Sequence, residues 1–252
     1  MPGTSEPHIT VSDVAIGFGD RALLEHLDFD IRRGEIFVIL GGSGCGKSTL
    51  LRHLIGFDAP MHGTIRVDGK PPQVGFGKPG FGVLFQAGAL FGSMTLGQNV
   101  ALPLETWTDL SRADVAEVVR SKLRLVGLGG FENHLPAELS GGMKKRAGIA
   151  RALALDPPLV FLDEPGAGLD PITSVELDEL ILTLSSNLGT TLVIVTHELA
   201  SIFAIGQRCV MLDREAKGMI ALGDPRELRD HSTNPTVAAF FNRRVPEGGN
   251  SA

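Results

Sequence analysis

Residues 41–48 read Gly41-Gly42-Ser43-Gly44-Cys45-Gly46-Lys47-Ser48, a G-x4-G-K-S loop, directly after the apolar run Ile36-Phe37-Val38-Ile39-Leu40. An unbroken run of that kind reads as a strand buried on both faces. Residues 47–55 then read as a helix. A strand, a glycine loop and a helix in this order form a concave anion site. The glycines let successive backbone N–H groups turn inward, and the helix start adds the positive end of its dipole. Lys47 would neutralise β- and γ-phosphates, and the Ser48 hydroxyl would ligate Mg2+. The nucleotide-contacting set is Gly41, Ser43, Gly44, Cys45, Gly46, Lys47, Ser48 and Thr49. Cys45 is a variable position of such a loop and takes no catalytic role.

The remainder of the chain agrees with an α/β class. Alternation marks residues 9–14 as a strand, and 27–31 read as another. Residues 65–67 lead into the Asp68-Gly69 turn, and 83–85 are a short strand. Between residues 95 and 155 the pattern is helical. Val115, Val118, Val119, Leu123 and Val126 recur at helical spacing and predict one apolar face. Asp156-Pro157-Pro158 breaks that block, and residues 159–162 are again a buried strand. Pro171 opens a helix, with Ile172, Val175, Leu180, Ile181 and Leu184 predicted inward. Residues 192–195 form a further core strand, and 209–212 with 219–222 a closing hairpin. Strands alternating with helices indicate a parallel sheet. The expected segments are a first part of the core (1–94), a helical insert (95–157), the second part of the core (158–231) and a tail (232–252).

Composition narrows the setting. Glycine makes up 32 of 252 residues, about 13 % against a usual ~7 %, which signals many loops with demanding backbone geometry. The net charge of −6 argues against a nucleic-acid partner. The two cysteines, Cys45 and Cys209, lie in no CxxC pair or His/Cys cluster and read as reduced thiols of a cytosolic protein. Residues 1–8 lack the pattern of a signal peptide. Residues 79–104 carry no charge, but glycines, Pro103, Gln86 and Asn99 interrupt them, so they read as a buried or contact surface rather than a span. Action at a membrane would run through a partner.

Asp163 closes the strand at 159–162, where a carboxylate can hold Mg2+ directly or through water. Glu164 follows and can polarise an attacking water as general base. Taken alone, Asp-Glu-Pro is also a common acidic turn.

Leu139-Ser140-Gly141-Gly142, just before Asp163-Glu164, resembles the signature of ABC-transporter ATPases. Gln86 matches that family's glutamine loop, Gly168-Leu169-Asp170 the loop after the catalytic glutamate, and His197 the switch histidine. The ordered set covers roughly residues 9–225. The resemblance implies a P-loop NTPase (RecA-like) α/β core with an antiparallel β subdomain and an inserted α-helical subdomain. It implies that ATP is bound with Mg2+ and hydrolysed. Ser140, Gly141 and Gly142 would donate to a γ-phosphate held by a second copy, in a head-to-tail homodimer. Gln86 would touch Mg2+ and the water, and His197 the γ-phosphate. The catalytic set is Glu164, His197, Gln86 and Lys47, and the metal set is Ser48, Gln86 and Asp163.

A narrower resemblance is to the Mla/Mce-type lipid transporters of Gram-negative bacteria. It rests on residues 84–91 (Leu-Phe-Gln-Ala-Gly-Ala-Leu-Phe), Asn99-Val100, Pro103-Leu104, Met143 after the signature and Asp170-Pro171-Ile172-Thr173. It implies the ATPase of a phospholipid transporter on the cytoplasmic face of the inner membrane. Its partners would be an integral-membrane permease (MlaE-like), an MCE-domain lipid-binding protein and a small STAS-domain subunit. Residues 87–91 are the expected permease dock. Residues 237–241 are expected to grip a partner, because Phe240 and Phe241 would otherwise be exposed. The alternative is the ATPase of another ABC importer or exporter. Chromosome-maintenance ATPases would need long heptad arms, and translation-type relatives usually carry two ATPase units per chain.

Several positions depart from the family pattern. Gly166-Ala167-Gly168 lacks a hydroxyl common there. The adenine-stacking aromatic is usually Tyr, which this chain lacks. Phe18 is the candidate, with a core Phe as its alternative. The Lys144-Lys145-Arg146 cluster reads as a solvated helix face or as long-range attraction for the γ-phosphate. The stretch 71–82, rich in Pro and Gly, has no assigned role.

Overall fold

The computed structural model describes residues 7–72, 78–86 and 88–244. The chain divides into two compact units, Met1–Val74 with Ile194–Ala252, and Gly75–Val193.

The first unit begins with three antiparallel strands, β1 (Pro7–Phe18), β2 (Arg21–Arg32) and β4 (His62–Val67), in the order β2-β1-β4. β1 is longer than the alternation suggested. Its register slips between Val11 and Val14, where Asp13 takes a φ of 46°. The bulge inserts a residue, so Ile9, Val11, Val14 and Ile16 all face inward and are fully buried. β3 (Ile36–Gly41) is buried along its whole length. It pairs in parallel with β8 (Arg208–Asp213), which closes an antiparallel hairpin with β9 (Gly218–Gly223). Helices α1 (Lys47–Ile55), α6 (Leu199–Ile205), α7 (Pro225–His231) and α8 (Pro235–Phe241) complete this unit.

The second unit carries β5 (Phe81–Leu84), β6 (Leu159–Asp163) and most of β7 (Thr191–Val195), in the order β5-β6-β7. The β5–β6 pair is parallel, and β6 and β7 are buried throughout, as their unbroken apolar runs require. Its helices are α2 (Leu96–Trp107), α3 (Arg112–Leu125), α4 (Gly141–Ala152) and α5 (Pro171–Leu188). Thr95 and Gln98 form a capping box on α2, and Ser111, Ser140 and Asp170 cap α3, α4 and α5. Buried Asn99 donates to the carbonyls of Phe91, Met94 and Thr95 and accepts from Phe91 N–H at 2.8 Å, which pins the loop before α2.

Two expectations are corrected. Ile172 and Val175 on α5 are 74 % and 57 % exposed, and burial of this helix begins at Leu177. On α8, Val237 and Phe241 are buried, and Phe240 packs on the same cluster as Val38, Leu40 and Met211. The phenylalanines complete this chain's own core, which removes the reason for giving them to a partner. Residues 245–252 of the tail, 73–77 of the Pro/Gly stretch and Ala87 lie outside the described residues. Among the described residues no helix is long and apolar enough to cross a membrane.

Candidate functional site

In the first unit, the loop between β3 and α1 has the backbone that its glycines predict. Gly41, Gly44 and Gly46 have φ of 147°, 71° and 105°. At Gly41 a Cβ would meet the Leu212 carbonyl oxygen at 2.4 Å, so both sterics and backbone angle demand glycine there. Gly46 is the left-handed residue that opens α1, and no side chain caps that helix. The positive end of its dipole faces the glycine loop and favours an anion there. No acidic residue occupies the first turn of α1. Lys47 folds back over the loop, its Nζ donating to the carbonyls of Gly41 at 2.8 Å and Gly42 at 3.0 Å. An ammonium held over a glycine loop at a helix start suits the phosphates of a nucleotide, and Ser48 stands exposed in the same first turn. Cys45 is buried and its thiol is pushed up by desolvation, so it stays protonated at neutral pH and inert.

Phe18 ends β1 and is 67 % exposed, so it is not a core residue. With Arg21, Ala22, Leu23, Gly44, Arg214 and Lys217 it lines an open cavity of about 540 Å³ beside the glycine loop. One aromatic face and three cations around a phosphate-loop glycine suit an aromatic base attached to a polyanion. The sequence reading missed Arg21, Arg214 and Lys217, because charged residues in turns look like ordinary solvated loop. Also in this unit, His197 follows β7 and is exposed. The preceding turn is held by Thr196, whose N–H donates to the Ile39 carbonyl at 3.3 Å and whose hydroxyl accepts from Glu198 N–H at 3.1 Å.

In the second unit, Asp163 and Glu164 lie at the end of β6, both buried. Glu164 takes a left-handed φ of 48°, a region sparsely populated by residues with a Cβ. Its carbonyl accepts from Ala167 N–H at 3.2 Å. Gln86 follows β5 and is exposed. Ser140 caps α4 by accepting from Met143 N–H at 3.3 Å. The signature start packs on the beginning of α5: a Cβ on Gly142 would lie 2.4 Å from Thr173 Cγ2. Asp170 secures that beginning by accepting from the N–H groups of Ile172 and Thr173, both at 3.1 Å. The Thr173 hydroxyl, the leading influence, and these amides hold the Asp170 carboxyl below its usual range.

The basic cluster after the signature is not a solvated face. Lys145 is buried, and Arg146 pairs with Glu176 at 3.0 Å. Sequence patterning could not separate Lys145 from its neighbours, since three adjacent cations on one helix turn carry no sign of which points inward.

Residues 24–167 match the family described as ABC transporter. The chain is 42 % identical, over 94 % of its length and 69 % of the relative's, to a protein of Mycobacterium leprae named a probable ribonucleotide transport ATP-binding protein. It is 38 % identical, over 93 % of its length and 88 % of the relative's, to an Escherichia coli protein named an intermembrane phospholipid transport system ATP-binding protein. Among solved structures, it resembles an ATP-binding cassette described as dimeric, in a post-hydrolysis state with ADP and phosphate bound. The TM-score is 0.75 and the identity 29 %, over 86 % of this chain and 98 % of that one. The fold is that of a P-loop NTPase, with mixed sheets and helices. The chain belongs to the ABC transporter family, as its ATP-binding and ATP-hydrolysing subunit.

Proposed function

We propose that this ATPase powers a phospholipid transporter of the Mla/Mce type at the inner membrane, bound peripherally through a permease. The observation that carries the reading is the 38 % identity, nearly end to end, to a relative named for phospholipid transport. The block at 84–91 and Met143 belong to the same sequence resemblance. In this reading two copies of the chain work as a head-to-tail dimer with the permease, an MCE-domain protein and a small STAS-domain subunit. The core segments 1–94 and 158–231 bind and hydrolyse ATP. Residues 87–91 dock the permease, where Phe91 is half-exposed.

The residue roles follow from the chemistry each can supply. The backbone of residues 41–49 and Lys47 bind the phosphates, and Phe18 stacks on the base. Ser140, Gly141 and Gly142 close on the γ-phosphate of the second copy. Glu164 orients the water and takes its proton, Gln86 touches the Mg2+ and that water, and His197 contacts the γ-phosphate. Ser48, Gln86 and Asp163 offer hard oxygen donors, the kind that suits Mg2+ held together with phosphate by few protein groups. When bound, that ion would neutralise charge developing on the β- and γ-phosphates.

A second reading has its own support, the 42 % identity to a relative named for ribonucleotide transport. Purifying the chain with its membrane partners and analysing co-purified lipid by mass spectrometry separates the two. Phospholipid in the complex, an MCE-domain protein among its partners and ATP turnover indifferent to added cytidine monophosphate are expected. Absence of both lipid and the MCE-domain protein, with turnover stimulated by the nucleotide, would reject phospholipid as cargo.

A further inference from the structure

Lys145 is 7 % exposed, and a buried ammonium is tolerated only where its N–H groups are taken up. Its Nζ donates to the Gln86 carbonyl oxygen at 2.5 Å and to the Glu164 carbonyl oxygen at 3.0 Å. These are the main chains of two residues that the proposed function assigns to hydrolysis, and they are far apart in sequence. We propose that Lys145 is a positioning residue for ATP hydrolysis: its ammonium clamps the backbone of the glutamine loop to the backbone of Glu164, and so sets where the Glu164 carboxylate stands. This rests on the reading of Glu164 as general base.

The local geometry gives the clamp its leverage. Glu164 has the left-handed φ noted above, a conformation that persists only where its surroundings over-determine it. Two donors converge on its carbonyl, Lys145 Nζ and Ala167 N–H. Releasing the charged one frees the peptide to tilt, and the side chain tilts with it. A base must stand within about 0.5 Å of its productive position, and a misplacement of about 1 Å lowers a rate by roughly 10²-fold.

The same face of α4 grips the rest of the loop. Gly148, one turn on, leaves room for close approach: a Cβ there would sit 2.5 Å from Leu84 Cδ1 and 3.2 Å from the Gly88 carbonyl oxygen. Arg151, a further turn on, donates to the Ala89 carbonyl at 2.6 Å. Gly88 and Ala89 both hold left-handed backbone, with φ of 75° and 48°. The helix that begins at the signature therefore holds the glutamine loop at both ends. Its Lys145 end also reaches Glu164. A displacement felt at Gln86 thereby reaches the base through the ammonium group, beyond the last paired residues of β5 and β6, Leu84 and Leu162.

The test is a double-mutant cycle on steady-state Mg-ATP turnover of the full chain. K145M keeps the aliphatic stem and removes the charge. We expect kcat to fall about 10- to 100-fold, with KM for ATP changed less than ~3-fold, because the lysine touches backbone and not substrate. K145R retains charged donors and should recover kcat to within ~5-fold of the parent. In an E164Q background, where the carboxylate is already lost, adding K145M should change the residual rate by less than ~2-fold. A folded K145M with kcat within ~2-fold of the parent would overturn the clamp, as would a further ~10-fold loss when it is added to E164Q. If K145M does not fold, K145L carries the same cycle, again without a donor, and the same outcomes support or overturn the clamp. Failure of the underlying reading looks different: E164Q alone would then turn over at a near-normal rate.

Discussion

Phe18 shows how a single side chain is placed for binding rather than for folding. An aromatic ring that is 67 % exposed beside Gly44, ringed by Arg21, Arg214 and Lys217, contributes little to the core. Its π face is what remains to use. Stacking of a base on an aromatic side chain is worth ~1–3 kcal/mol by alanine substitution, so F18A should weaken ATP affinity about 5- to 150-fold. Saturating turnover should hardly change, because Phe18 touches the base and not the reacting phosphate. Titration with a fluorescent ATP analogue, alongside kcat, checks both halves. An F18A protein with unaltered affinity would return the base to some other surface. The two cysteines give the opposite case. Burial pushes the Cys209 thiol up to about 12, and Cys45 upward as well. A raised thiol pKa keeps the unreactive protonated form at pH 8, so a thiol reagent should label neither cysteine in the native protein. Both should react after denaturation.

At the scale of elements, α8 is the clearest instance of a segment whose purpose changes once its packing is known. Val237 and Phe241 are 0 % and 3 % exposed within the cluster that α6 and β8 share. Truncating a buried Phe typically costs ~3–5 kcal/mol through lost burial and the cavity left behind. F241A should lose about that much in denaturant unfolding, while recovery of membrane partners at low temperature stays unchanged. Loss of partners from an F241A protein of parental stability would restore the interface reading. The helical patch itself was legible from residues 237–241, but its destination was not, because periodicity says which face is apolar and not what covers it. The same limit explains α5. Its apolar stripe includes Ile172 and Val175, yet the cover starts only at Leu177. Strands buried on both faces were legible because β3, β6 and β7 are unbroken apolar runs. The β1 bulge was not, since one inserted residue at Asp13 leaves no mark on composition. In the candidate site, the glycine loop and the carboxylates were readable from types and spacing. Lys145 was not, because its partners are carbonyl oxygens, which every residue carries.

For the molecule as a whole, the sequence carries one glycine loop and one signature, and the proposed head-to-tail pair sets what is expected during turnover. In the proposed arrangement each ATP needs the loop of one copy and Ser140-Gly141-Gly142 of the other, so closure of two copies is driven by bound ATP and relaxed by its loss. Binding that favours one state shifts a population only through its differential affinity for that state. E164Q should separate binding from hydrolysis: ATP still binds, while cleavage slows about 10²- to 10⁴-fold, the usual range for a general base. The closed pair should then persist long enough to observe. In sedimentation velocity with Mg-ATP, E164Q is expected to run as a dimer, and with ADP as a monomer. Gly141 provides the control. It is exposed at the start of α4, and the nearest contact of a Cβ there would be Leu169 Cδ2 at an ordinary 3.5 Å, so a side chain fits without disturbing the chain's own packing. A carboxylate at that helix start would repel a γ-phosphate arriving from a second copy. E164Q/G141D should therefore bind ATP with the affinity of E164Q and stay monomeric. Dimers that form equally well with and without the Gly141 substitution would mean that the signature does not meet the phosphate, and the head-to-tail arrangement would have to be abandoned.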